Sequence, residues 1–110
     1  MGLTKIRKRR AIKEAKKKLI DIISHISDLT EIDWAKKDVQ HSVKKDLREF
    51  VVIIKENKLE YLIQDLNDID CLFDYCIDVG VDDNTFTLLC LQTYLPIILD
   101  TISLKSNVLD

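Results

Sequence analysis

The side chains best suited to chemistry are few and far apart. The two histidines, His25 and His41, have no Glu-x-x-His pattern around them, and their separation does not suit a metal pair. The three cysteines, Cys71, Cys76 and Cys90, form no C-x-x-C pair. Their expected role is that of small apolar side chains in helix packing. Gly2 and Gly80 are the only glycines, so no glycine-rich phosphate loop can be assembled. Adjacent acids such as Asp82 and Asp83 sit where helix N-caps are expected, not where an acid–base pair would be spaced. Asp70 lies at seven-residue steps from Ile63 and Ile77, which would turn it toward a core in an ideal helix. Without an acid–base partner it reads as a rim residue or as the acceptor for a cation. No catalytic residue, metal or cofactor is expected, and the chain does not read as an enzyme.

The strongest pattern is electrostatic. Residues 1–18 hold nine bases (Lys5, Arg7, Lys8, Arg9, Arg10, Lys13, Lys16, Lys17 and Lys18) against the single acid Glu14, a balance of +8. The rest of the chain holds eight bases and eighteen acids, a balance of −10, so the formal net charge of −2 conceals two poles. Cations at a helix N-terminus oppose the helix dipole, which suggests either a use or a segment only loosely helical; the plainer alternative is a solubilising arm, or one that pairs with the acidic half of a second copy. Arg7, Lys8, Arg9, Arg10, Lys13 and Lys17 are the candidates for contact with nucleic acid or with anionic lipid. No helix-turn-helix or aromatic signature singles out nucleic acid. The basic stretch carries no apolar core of a signal peptide, and position 6 is Ile where a myristoylation signal needs Ser or Thr. Together with the unpaired cysteines, this leads us to expect a reducing, cytoplasmic setting.

The elements that position these residues should all be helices. With two Gly and one Pro in 110 residues, the turns of an all-β fold have no residues to make them. Hydrophobic content of 46% with 33% charged suits one folded domain spanning residues 1–110, with a basic helical arm at about 1–18. Apolar spacing predicts a first helix from Thr4 to about Ser27, with Ile12, Ala15, Leu19, Ile22, Ile23 and Ile26 inward. A second helix is expected from Thr30, capped with the help of Asp33, with Ile32, Val39, Val43, Leu47, Phe50 and Ile54 inward. Trp34 near its start should be a packing anchor. On its opposite face lie Lys37, His41, Lys44, Arg48 and Lys55, a solvated face partly balanced by neighbouring acids.

A break is expected at Asn57-Lys58, although the spacing is equally compatible with one continuous helix. The third helix is then expected over about 59–79, stopped by Gly80, and the fourth from Asp82–Asn84 to about Lys105, interrupted or bent at Pro96. Short links favour an up-down bundle of about four helices.

The fourth helix is apolar all round. Phe86, Leu89, Cys90, Ile97 and Leu104 fall on one side; Leu88, Leu91, Leu95, Ile98, Leu99 and Ile102 fall on the other. A small bundle buries one face only, so the second should meet a partner. The expected association surface joins the third and fourth helices through Leu88, Leu91, Leu95, Ile98, Leu72 and Tyr75, rimmed by Asp65, Asp68, Asp74 and Asp78. A membrane-spanning reading of Phe86–Leu104 is disfavoured by Gln92, Pro96 and Asp100. The function expected is therefore that of a small, non-enzymatic helical interaction protein, an adaptor, inhibitor or immunity-type accessory, acting by protein–protein binding as a homodimer. The alternatives are a nucleic-acid-binding regulator using the basic helix, or peripheral membrane association through that same helix.

Overall fold

The protein is an all-α bundle. The computed structural model describes residues 2–63 and 85–108, with side chains described for 6–63 and 88–106. The described helices are α1 (Gly2–Ser27), α2 (Glu31–Trp34), α3 (Lys37–Glu56) and α4 (Thr85–Val108), with one 3-10 turn at Glu60–Leu62 between α3 and α4. The expected third helix, Gly80, the caps at Asp82–Asn84, and Asp70, Cys71, Leu72, Tyr75 and Cys76 lie largely or wholly outside the described residues.

Helix α1 forms where the sequence places it, and Ile12, Ala15, Leu19, Ile22 and Ile26 are all buried, with Ile23 half-buried beside them. Its C-terminal carbonyls would be orphaned. Gln92 of α4 supplies a donor: its Nε2 reaches the Ile26 carbonyl oxygen at 2.8 Å and that of Leu29 at 3.3 Å. One side chain thereby ties the first helix and its exit loop to the last.

The expected second helix is two. A full capping box opens α2: the Thr30 hydroxyl accepts from the Asp33 amide at 3.3 Å, and the Asp33 carboxylate accepts from the Thr30 amide at 3.0 Å. The bond from the Thr30 amide, helped by the Thr30 hydroxyl donating to the same carboxylate oxygen at 3.0 Å, lowers the Asp33 carboxyl pKa from its ordinary value. The helix ends after one turn because Lys36 is extended, and α3 starts afresh at Lys37. That break changes the register. Trp34 takes the inward position, and Ile32, expected to be buried, is exposed. Gln40 Nε2 then donates to the Trp34 carbonyl oxygen at 2.7 Å, which fastens the corner.

Helix α3 ends at Glu56 through a Schellman motif. The Leu59 amide donates to Ile54 O at 2.8 Å and the Lys58 amide to Lys55 O at 3.2 Å, with Lys58 at φ 54°. Glycine would sit there at lower cost, and its absence is why the boundary is faint in the sequence. The chain then turns in a short 3-10 segment, not directly into a long helix, and buries Leu59, Leu62 and Ile63.

Helix α1 lies between α3 and α4, packing on both. Lys18 faces Asp46 and Glu49, and Lys8 lies over the Tyr61 ring, so α1 and α3 run antiparallel. Gln92 beside the end of α1 and the 3-10 turn against α4 give α4 the same antiparallel sense relative to α1. Pro96 does not interrupt α4, which is helical throughout. The inward rows of the helices make one apolar cluster, including Trp34, Leu47, Phe50, Leu95 and Ile98.

Candidate functional site

The geometry defines two outward faces and removes one that the sequence suggested. Leu88, Leu91, Leu95 and Ile98, expected at a partner interface, are buried in the chain's own core, together with Ile102. This corrects the assignment of faces. The two sides of α4 are divided as the spacing indicates, but the side turned inward is the opposite one. Periodicity separates two apolar faces of a helix; only its neighbours decide which is covered. Leu72 and Tyr75, expected on the same surface, lie outside the described residues.

The outward side of α4 carries Leu89, Ile97 and Leu104, exposed by 56%, 44% and 69%, with Cys90, Thr93 and Asp100 also exposed among them. Cys90 is a free thiol on that face and not a packing residue. The window Leu88–Ser106 is long and apolar enough to cross a membrane, with mean hydropathy 1.3. Its inward row is already packed against the other helices.

The outward side of α1 is basic. At 100° per residue, Ile6, Arg10, Lys13, Lys17 and Ile20 fall within an arc of about 80°, and all five are exposed. Of the six bases expected to act together, Arg10, Lys13 and Lys17 share this row. Arg7 and Arg9 flank it, and Lys8 turns back so that its ammonium sits 5.3 Å from the Tyr61 ring centroid. Glu14 and Asp21 edge the row on one side. Sequence reasoning passed over Ile6 and Ile20; their signal is that both lie off the inward stripe of an otherwise cleanly amphipathic helix.

Lys18 belongs to the basic cluster by sequence, yet it serves the fold. Its Nζ donates to Asp46 Oδ1 at 3.3 Å and to Glu49 Oε2. The Glu49 contact, helped by Asp46, raises the Lys18 pKa above its ordinary 10.5, and the same bond lowers that of Glu49 below 4.5. A depressed carboxyl gives up its stabilisation as pH falls through its folded value, and a raised ammonium does so as pH rises through its own. The melting difference between wild type and Lys18→Met should therefore be present at neutral pH. It should vanish in acid below the usual Glu49 range and again in alkali above that of Lys18, as followed by circular dichroism. A difference that persisted unchanged at both extremes would mean that the ion pairs of Lys18 are not its source.

The expected basic face of the second helix is corrected in part. Lys37, His41, Arg48 and Lys55 are exposed, but Lys44 is buried. His25 is also exposed. Among the described residues no three His, Cys, Asp or Glu side chains are grouped so that they could hold a metal ion.

Compared with protein-family models, with curated proteins and with solved structures, the chain matches none. The class that the fold defines is a small all-α bundle, and its function has to be argued from its surfaces.

Proposed function

We propose that this chain is a small, non-enzymatic interaction protein of the cytoplasm, an adaptor, inhibitor or immunity-type accessory that works by protein–protein binding and pairs with a second copy of itself. The observation carrying this reading is the outward row of α4, where three large aliphatic side chains stand in water on a helix whose inner face is already filled. The row is nearly uncharged, since Asp100 and Lys105 are the only charged residues in α4.

It is also self-complementary. A two-fold axis crossing α4 between Pro96 and Ile97 would set Leu89 against the partner's Leu104 and Thr93 against the partner's Asp100. Two antiparallel copies would thus cover each other's apolar ends and leave the single carboxylate of the row beside a hydroxyl-bearing residue. Burying half-exposed aliphatics contributes on the order of 1 kcal/mol each, against a substantial cost of association. A dimer that dissociates on dilution is the expected state.

Sedimentation equilibrium over a concentration series tests it. Wild type should move from monomer to dimer as concentration rises. The triple variant Leu89→Ser, Ile97→Ser, Leu104→Ser should remain monomeric with an unchanged helical spectrum, because all three positions are exposed. A wild-type chain that is monomeric at every concentration would sink the self-association reading.

A further inference from the structure

We infer that the outward face of α1 is a docking surface for an anionic lipid bilayer, on which the helix lies flat. This goes beyond the self-association reading and rests on a different helix. The row combines two kinds of side chain that one class of partner must satisfy together. Arg10, Lys13 and Lys17 are exposed cations, and Ile6 and Ile20 are 54% and 47% exposed on the same line. The two isoleucines are fourteen residues apart, about 21 Å along the axis.

A nucleic-acid backbone would take the cations, but it offers nothing to a β-branched hydrocarbon, which would stay in water or be pressed against phosphate. A partner helix lying along this row would have to bury Arg10, Lys13 and Lys17 in the seam between the two isoleucines, at a desolvation cost that open headgroups do not impose. A bilayer surface is flat on this scale. It meets a ridge along its whole length, takes the bases at its headgroup phosphates and carboxylates, and admits the isoleucines at the acyl boundary. Charge complementarity supplies the long-range attraction. The remainder of the chain is strongly acidic, with a balance of −10 outside residues 1–18, so repulsion from the same membrane would hold that part of the molecule away and set the orientation. Lys18, bonded to Asp46 and Glu49, and Lys8, over Tyr61, are turned to the fold and brace the helix from behind.

The experiment is co-sedimentation of the full chain with vesicles of phosphatidylcholine alone and of phosphatidylcholine mixed with phosphatidylserine, beside a mixed-sequence DNA duplex measured by fluorescence anisotropy. Two surface variants are compared, Arg10→Gln/Lys13→Gln/Lys17→Gln and Ile6→Ser/Ile20→Ser; neither touches the core, and helical content is checked for both. The chain should pellet with the phosphatidylserine vesicles and not with phosphatidylcholine alone. Loss of the three bases should weaken that binding on the order of a hundredfold. Loss of the isoleucines, with every charge retained, should weaken it about tenfold. No pelleting with anionic vesicles at low salt overturns the inference, as does equal binding to both vesicle types. Duplex binding that needs the bases and ignores the isoleucines, with vesicle binding equally indifferent to them, also overturns it and makes the row a phosphate-backbone contact.

Discussion

Truncation of Leu95 or Ile98 to alanine should lower the free energy of unfolding by about 2–5 kcal/mol in each case, a large part of what a domain of this size has to spare. Both side chains are fully enclosed by the chain itself, so the loss is one of transfer plus cavity and not of a contact between molecules. The cleanest background is the triple variant lacking Leu89, Ile97 and Leu104, because linkage between folding and dimerisation is then removed. Urea unfolding followed by circular dichroism should show the midpoint falling at an unchanged slope. Unchanged stability, with altered association in the unmodified background, would return these residues to a partner interface and reverse the orientation of α4.

The second large effect is expected at Trp34, the only tryptophan in the chain. It is buried at the corner where α2 ends, and replacing it with alanine should cost about 3–5 kcal/mol. Phenylalanine should cost much less. The indole Nε1 is buried and finds no acceptor among the described residues. A buried donor without a partner carries a penalty of about 1–3 kcal/mol, which phenylalanine removes while keeping most of the ring. A loss of about 2 kcal/mol or more for Trp34→Phe would show that the N–H makes a hydrogen bond in solution that phenylalanine cannot replace. In the wild-type chain the same residue reports unfolding by its fluorescence, so both substitutions are best followed by circular dichroism.

These two results bear on the function as well as on the fold. Trp34, Gln40 and Gln92 together fasten the end at which α1, α2 and α4 meet. That junction holds the outward rows of α1 and α4 in place on one frame. Destabilising it should therefore weaken self-association and vesicle binding together, whereas the surface variants should separate them.

The sequence by itself determined the all-helical character, because two glycines and one proline leave no means of turning a sheet. It also determined the inward stripe of α1 almost residue for residue, since apolar residues repeat along that side of the helix without interruption. The concentration of bases in residues 1–18 was equally plain. Three things were settled only in three dimensions. The break at Ala35-Lys36 has no glycine or proline to mark it; it follows from Trp34 having to turn inward, which also leaves Ile32 in water. The end of α3 is closed by a lysine in the left-handed region, an unfavourable choice held by two Schellman hydrogen bonds.

The orientation of α4 is the third and the most consequential. Both its faces are apolar, so spacing along the chain is symmetric with respect to the question of which is inside. The decision was made by the neighbours, with Gln92 at 2.8 Å from the Ile26 carbonyl oxygen turning Leu88, Leu91, Leu95 and Ile98 toward the core. Local sequence sets the period of a helix, and long-range packing sets its phase.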